Sequence, residues 1–293
     1  MTKTWSVVVA YFPDRLRINT LVLRLLAQDT EVIVYDNGGA LECVEQREQV
    51  HIVGNGQNVG IARALNESIA FAVSNGAHYI ATFDQDSEPP DEMIPALSRR
   101  LAQYDNEDVV AVGPVCYDVR NGPFTWPVFA PSRFGFRRLN PDEHSEPIPS
   151  IFLITSGMLF SAEGYLSVGA FDDSLFIDHV DTAWGLRANA MGKKLLTCPE
   201  ARMKHELSRS APRYFLGRLV LDYPPIRRYY AARNSVRLAL SDFTPVGLKL
   251  YFLATTIYRL FALPVFDASP VKCFRAILSG IRDGINQGAI KTG

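Results

Sequence analysis

Residues 77–90 read Ala-His-Tyr-Ile-Ala-Thr-Phe-Asp84-Gln-Asp86-Ser-Glu-Pro-Pro, an apolar strand that ends abruptly in two carboxylates one residue apart. Residues two apart on a strand point to the same side, so the end of a strand can set both carboxylates into one cleft. Hard oxygen donors in that arrangement suit Mg2+ or Mn2+ held against a diphosphate. Short Asp-x-Asp turns also close strands with no further purpose, so the reading depends on what surrounds this one.

Outward from it, short apolar runs alternate with helical periods. Trp5 to Tyr11, Glu31 to Asp36 and His51 to Gly54 read as strands, His78 to Phe83 as the fourth and Asp108 to Gly113 as the fifth. Leu16 to Gln28 reads as a helix, and Val59 to Ser74 carries Ile61, Leu65, Ile69, Ala72 and Val73 at helical spacing. Such alternation predicts an α/β fold, a mostly parallel central sheet flanked by helices on both faces. Ligands then bind beyond the carboxyl ends of the strands. Tyr11-Phe-Pro13, Asp36-Asn37, Asn55 to Gly60 and Asp84-Gln85-Asp86 all fall there.

Farther on, Ile151 to Ser161 is apolar but interrupted by Thr155-Ser156-Gly157, and a second acidic cluster, Phe176-Ile-Asp178-His-Val-Asp181-Thr-Ala-Trp184, follows. A helix over Val180 to Met191, a strand over Lys194 to Cys198, and His205 complete this half. Carboxylate pair, second acidic cluster and downstream His form a constellation that points to catalysis. Between Tyr117 and Pro149, prolines interleave with Trp126, Phe129, Phe134 and Phe136, which leaves open a surface insertion or a substrate-covering loop. From Ala211 onward the pattern is helical only.

With 293 residues, 47% of them apolar and 21% charged, the chain can bury a full core as one large domain or a domain with an appendage. A net charge of -1 argues against nucleic acid as a partner. Charge is uneven, however: Arg202 to Arg237 holds nine basic residues against Glu206 and Asp222, a net +7, which is expected to form a basic surface that meets anionic headgroups. Cys43, Cys116, Cys198 and Cys273 show no Cys-x-x-Cys spacing, which argues against a zinc cluster or disulfide scaffold and fits reduced cytosolic thiols. The amino-terminal apolar run is too short for a signal peptide and reads as a core strand, so no export is expected. Val246 to Phe266 is apolar but carries Lys249, Arg259 and Pro264. A helix lying on a membrane surface, or a helical pair packed on the domain or on a second subunit, is expected over a spanning helix.

In this order, Val7-Val-Val-Ala-Tyr-Phe12, Asp36-Asn-Gly-Gly39, Asn58-Val-Gly-Ile-Ala-Arg-Ala-Leu-Asn66, Phe83-Asp-Gln-Asp-Ser87, Thr155-Ser-Gly157 and Phe176 to Arg187 resemble family 2 glycosyltransferases of the glycosyltransferase A fold. The similarity is greatest to bacterial rhamnosyltransferases that build O-antigen and related polysaccharides, and it covers nearly the whole chain. It implies a catalytic domain over residues 1–210, with a nucleotide-sugar half (1–115) and an acceptor half (116–210), and a C-terminal helical region over 211–293. The implied activity is metal-dependent, inverting transfer of L-rhamnose from dTDP-β-L-rhamnose to a hydroxyl of a lipid-linked saccharide, at the inner face of the cytoplasmic membrane. UDP-galactofuranose, UDP-glucose or UDP-N-acetylglucosamine are the alternative donors.

The resemblance also implies roles for single residues. Tyr11 and Asp36 would read the nucleotide; Asn58, Gly60 and Arg63 would face its phosphates or order the base pocket; Asp84 and Gln85 would contact the donor. Asp86 and His205 would bind Mn2+ or Mg2+, and Asp181 would be the general base. Ser156, Gly157, Asp178 and Trp184 fall to the sugar or acceptor side. Plainer readings stand beside several of these: Asp36 as a turn former, Asn58 as a helix cap, His205 as a structural imidazole, Asp178 as a rival base or loop brace, Trp184 as core. Where many members carry an acidic residue before the aromatic, this chain has Ala183, which leaves the acceptor contacts open.

Two other classes are weaker. Phosphatases of the haloacid dehalogenase type place Phe-Asp-x-Asp on their first core strand, whereas three strand signals precede Asp84 here. A non-catalytic sugar-binding module gives no reason for Asp84, Asp86, Asp181 and His205 together.

Overall fold

The computed structural model describes residues 3–104, 108–120, 124–133, 135–206, 213–215, 218–220, 223–266 and 269–291. The chain opens with β1 (Thr4–Ala10), α1 (Arg15–Leu26), β2 (Glu31–Asp36), β3 (Val50–Gly54), α2 (Ile61–Ser74), β4 (Tyr79–Asp84), α3 (Met93–Ala102) and β5 (Val109–Asp118). These follow the expected alternation, with α3 the element that sequence periodicity passed over. Short strands β6 (Phe124–Thr125), β7 (Val128–Ser132), β8 (Gly135–Leu139) and β9 (Ile148–Ser150) fill the proline-rich stretch, where β7 and β8 form a hairpin. Then come β10 (Met158–Ser161), α4 (Ala162–Val168), α5 (Val180–Ala190) and β11 (Lys194–Lys204).

The central sheet runs β3-β2-β1-β4-β10-β5-β11-β9, with β6 added beside β5. Strands β1 to β4 are parallel and in the order 3-2-1-4, the arrangement of a nucleotide-binding half. Next to them β10 runs antiparallel between β4 and β5, and β11 lies parallel to β5. Alternation along the strands explains the two cores. Val7 and Ile33 pack toward α2 and α5, while Val8, Val32 and Val34 pack toward α1 and α3. Register then fixes the functional edge: Val9 pairs with Asp84 and Ala10 with Asp36, so Tyr11, Asp36 and Asp84 emerge side by side.

The expectation of helices alone beyond Ala211 is corrected by a small hairpin, β12 (Arg213–Phe215) with β13 (Arg218–Val220). After it come α6 (Pro225–Leu240), α7 (Val246–Phe266) and α8 (Pro270–Gln287). Gly280 and Gly284 of α8 lie against the α6 backbone so closely that a Cβ on Gly284 would stand 2.7 Å from the Arg233 carbonyl oxygen. Only glycine permits that approach.

The basic stretch is also corrected. Arg228, Arg233 and Arg237 are buried, while Arg202 pairs with Asp142 at 2.7 Å, Lys204 with Glu88 at 3.0 Å and Arg227 with Asp178 at 3.0 Å. Arg209 and the side chains of Arg213 and Arg218 lie outside the described residues. Buried guanidinium groups are retained where carbonyls and carboxylates satisfy them, so the charge of Arg228, Arg233 and Arg237 serves the interior, while Arg202, Lys204 and Arg227 are each paired with a carboxylate.

Candidate active site

Strand β4 delivers Asp84 to the carboxyl edge, half-buried, with Asp86 exposed one turn residue beyond. Gln85 between them turns to the chain: its Oε1 accepts from the Tyr11 amide at 2.7 Å and its Nε2 donates to the Tyr11 carbonyl at 3.2 Å. This clamp holds Tyr11, 49% exposed, at the rim. Gln85 is therefore a brace for Tyr11.

His205 arrives from the far side. Its amide donates to the Tyr117 carbonyl at 3.0 Å, continuing the β11–β5 pairing past Lys204. The ring is 3% exposed, its Nε2 stands 3.7 Å from Asp84 Oδ2, and its Nδ1 has no hydrogen-bond partner. A buried, unpartnered imidazole nitrogen calls for an explanation. Among the described residues no group of three metal-binding side chains is already gathered. Yet an unpartnered imidazole beside one carboxylate, with the exposed Asp86 two residues along, is a mixed nitrogen and oxygen donor set that fits Mn2+ or Mg2+. Desolvation raises the Asp84 carboxyl above its ordinary range, with His205 and Arg227 opposing and Asp86 reinforcing the shift.

Asp181 lies in the first turn of α5. Its Oδ1 accepts from the Thr182 amide at 2.6 Å and its Oδ2 from the Thr155 amide at 3.2 Å. Burial raises this carboxyl to about 6; the two amides pull it down and the Asp84 charge pushes it up. A carboxylate so tuned suits proton abstraction near neutral pH. Thr155 is itself tied to β4, since its carbonyl accepts from Thr82 Oγ1 at 2.6 Å. The Thr155-Ser156-Gly157 turn thus links donor strand to base. Ser156 is wholly buried and bonded to Ser87 Oγ, and the Gly157 amide donates to the Thr82 carbonyl at 2.7 Å. Both positions shape the turn and present no side chain to a sugar.

Several expected contacts are redirected. The Asp36 carboxylate accepts from the amides of Gly38 at 3.0 Å, Ala40 at 2.8 Å and Leu41 at 3.4 Å, so it closes the Asp-Asn-Gly-Gly turn instead of standing open to a nucleobase. Asn58 Oδ1 accepts from Asn37 Nδ2 at 3.2 Å and from the Gly60 amide at 3.1 Å, which stitches two edge loops together. Arg63 bonds Glu67 at 2.7 Å, and Glu67 takes the hydroxyl of the buried Tyr35 at 2.6 Å, so the guanidinium is paired within α2. Gly60 is a packing residue: a Cβ there would meet Phe176 Cδ2 at 2.6 Å, and the Ile61 amide at the start of α2 donates to the Phe176 carbonyl at 2.6 Å. That amide is spent on protein.

Trp184 is 1% exposed, packs against Phe160, Tyr165 and Phe171, and donates Nε1–H to the Gly169 carbonyl at 2.8 Å. It is core and not a wall of the cleft. Asp178 is held by Arg227 Nε at 3.0 and 3.2 Å and so is a loop brace, leaving Asp181 as the open candidate base. Arg227, which also stacks on Tyr223 and lowers the Asp84 carboxyl, was not anticipated from sequence. A cavity of about 730 Å3 lined by His78, Asp108, Ser161 and Lys193 lies at the amino ends of β4 and β5 and contains none of these groups.

The family model described as glycosyl transferase family 2 matches residues 6–162. Over 285 residues, 96% of this chain and 95% of the relative, the sequence is 30% identical to the dTDP-rhamnosyl transferase RfbF of Shigella flexneri. Among solved structures, TarS residues 1–349 of S. aureus in complex with UDP-GlcNAc superposes with a TM-score of 0.58 at 13% identity, covering 96% of this chain and 81% of that one. GalNAc-T7 with UDP, GalNAc and Mn2+ superposes with a TM-score of 0.56 at 16% identity, covering 94% of this chain and about half, 54%, of that one.

Proposed function

The chain belongs to family 2 of the glycosyltransferases, and from that premise we propose that it transfers L-rhamnose from dTDP-β-L-rhamnose to a saccharide hydroxyl with inversion. The donor is supported by the 30% identity with a dTDP-rhamnosyl transferase across nearly the full length of both chains. The observation that carries the chemistry is Asp181, tuned to about 6 and tied through Thr155 to the strand that bears Asp84.

In this reading the acceptor hydroxyl attacks the anomeric carbon while Asp181 takes its proton. A new glycosidic bond forms, the bond to the dTDP oxygen breaks on the opposite face, and its electron pair leaves with the diphosphate. Asp86 and His205, with Asp84 adjoining, would hold a divalent cation, supported by the donor set and by a structural neighbour solved with Mn2+. Bound there, Mn2+ or Mg2+ would offset the negative charge gathering on the departing diphosphate. Tyr11, held at the rim by Gln85, would flank the nucleotide. Residues 1–210 would form the catalytic unit, with residues 211–293 contributing helices that complete it.

A panel of nucleotide sugars, assayed for nucleotide release with and without Mn2+, tests the reading. dTDP-rhamnose should turn over fastest and only with metal. Faster turnover of UDP-galactofuranose, UDP-glucose or UDP-N-acetylglucosamine would overturn the donor assignment.

The acceptor is proposed to be lipid-linked, with the enzyme at the inner face of the cytoplasmic membrane. No described helix is long and apolar enough to cross a membrane. Helix α7 instead exposes Val246, Leu250, Leu253, Ile257 and Phe261, spaced four, three, four and four residues apart, which is one helical face. A largely apolar cavity of about 660 Å3, lined by Pro131, Ile151, Leu186, Phe243, Val246 and Leu250, adjoins its start. Helix α8 adds exposed Val271, Phe274 and Leu278 beside Lys272, Arg275 and Arg282. Lys249 stands beside this face, helix α7 carries no acidic residue, and Lys272 and Arg275 of α8 are exposed, a balance that matches an anionic lipid surface better than a second copy of the same basic face.

A further inference from the structure

Between the short 3-10 turn Asp173–Leu175 and helix α5 the chain takes a costly path. Phe176, Asp178 and His179 have φ of 65°, 63° and 62°, values that side chains other than glycine rarely adopt. Phe176, with ψ of -64°, sits at the centre of a γ-turn closed by the Ile177 amide on the Leu175 carbonyl at 2.7 Å. Each such residue costs on the order of 1–3 kcal/mol and persists only where its surroundings over-determine it. Two residues after His179, the loop becomes the turn that carries Asp181.

Helix α6 supplies the over-determination. Asn234 is fully buried, and its Nδ2 donates to the carbonyls of Leu175 at 3.0 Å, Ile177 at 2.9 Å and Asp178 at 2.8 Å. Arg233 Nη2 donates to the carbonyls of Ser174 at 2.6 Å and Leu175 at 2.9 Å, while its Nε donates to Asn234 Oδ1 at 2.9 Å and so fixes which way the amide faces. Arg237 reaches Ser174 Oγ at 2.8 Å, and Ser235 Oγ lies 3.1 Å from His179 Nε2. The carbonyls of Ser174, Leu175, Ile177 and Asp178 thus end on α6, while that of Phe176 accepts from the Ile61 amide of α2 at 2.6 Å.

We propose that Arg233 and Asn234 are positioning residues for the reaction, gripping the strained 174–179 loop so that Asp181 is held against the acceptor side of the cleft. The proposal rests on Asp181 as the base. It follows that α6 is part of the catalytic machinery, although it lies beyond the segment matched by the family model.

A double-mutant cycle in the full-length enzyme tests it. Asn234→Ala leaves three carbonyls without their shared donor. The variant should lower kcat about 10^2-fold, as small misplacements at a site do, with donor KM and dTDP affinity within about twofold of wild type. In an Asp181→Asn background the same change should cost less than about threefold, because the group it positions is already gone. Equal losses in both backgrounds, or a loss confined to donor KM, would overturn the proposal. Wild-type turnover by Asp181→Asn alone would instead reject the base on which the proposal stands. If Asn234→Ala does not fold, Arg233→Lys, which keeps the charge but cannot span two carbonyls and Asn234 together, carries the same cycle with the same criteria.

Discussion

The main-chain amide of Thr155 donates to Asp181 Oδ2 at 3.2 Å, while the carbonyl of Thr155 accepts from Thr82 Oγ1 at 2.6 Å. One residue therefore spans from the strand ending in Asp84 to the helix that presents the candidate base. The two carboxylates sit in one electrostatic environment, and Asp84 is among the influences that raise Asp181. The end of β4 and the candidate base are thus coupled through a main-chain turn.

Activity should rise with pH through about 6, because burial lifts the Asp181 carboxyl to about that value and only its ionised form can take a proton. Removing a positioned base typically costs about 10^2 to 10^4 in rate. Asp181→Asn should lose turnover in that range, keep dTDP affinity within about twofold, and lose the acidic limb of the kcat profile. The stability sign is opposite to that of a salt-bridged Asp. Since the folded carboxyl is raised from 3.8 to about 6, its contribution to folding is present below 3.8 and is lost as pH rises through 6. An acidic limb that persists in Asp181→Asn would assign it to another group, with Asp178 next in line.

Chelation should abolish turnover, and Mn2+ or Mg2+ should restore it. Independently of activity, calorimetry should show dTDP binding strengthened by Mn2+ in the wild type and indifferent to Mn2+ in Asp86→Ala and His205→Ala. The buried, unpartnered Nδ1 of His205 motivates the second variant. Mn2+-enhanced binding that survives both substitutions would remove the metal assignment from these residues.

The donor edge was legible because strands report themselves through period-two alternation, and parallel register then lines up their ends. Asp84, Asp86 and Tyr11 fall where that logic puts them, whereas β11 runs to Lys204, six residues beyond the Cys198 end read from sequence, and so carries His205 to the edge. What stayed hidden was partnership. Asp36 and Asn58 have the same sequence signature whether they bind a ligand or tie a turn, and only the structure shows the amides of Gly38, Ala40 and Gly60 that they accept from. The Arg63 pairing was available in principle, since Glu67 follows at i+4. Arginines of α6 read as surface charge because their acceptors are backbone carbonyls some 60 residues earlier, such as Ser174 for Arg233, and carbonyls leave no mark on a sequence.

Trp184 and Arg63 should separate stability from binding. Trp184→Ala opens a cavity among Phe160, Tyr165 and Phe171 and removes one of the two donors to the Gly169 carbonyl, Arg187 Nη2 remaining at 2.9 Å, so it should cost about 3–5 kcal/mol in denaturant unfolding. Arg63→Ala removes an exposed, solvent-screened pair and should leave both the unfolding midpoint and donor KM near wild type. A donor KM raised tenfold in Arg63→Ala, with stability intact, would return that guanidinium to the phosphate site.

The exposed face of α7 should bind vesicles. Val246 and Phe261, at its two ends, are 73% and 70% exposed, and burying an apolar side chain contributes on the order of 1.5–3 kcal/mol. Each Lys or Arg near an anionic surface adds about 1 kcal/mol, so the exposed Lys272 and Arg275 of α8 make binding depend on lipid charge and salt, Arg282 being paired with Asp283 at 2.9 Å. Cutting the chain before α7 would not test this, since it would also strip α8 from the α6 backbone that Gly280 and Gly284 contact and that holds the catalytic loop. Ile257→Glu and Phe261→Glu act instead on the exposed face alone. Wild type should co-sediment with vesicles containing phosphatidylglycerol at low salt and be released as salt rises. Both variants should stay in the supernatant while turning over a soluble acceptor at the wild-type rate. Equal recovery of wild type in the supernatant with neutral and anionic vesicles would remove the membrane reading, and a dimer dissociated by the same substitutions in sedimentation velocity would put a second copy of the chain on that face.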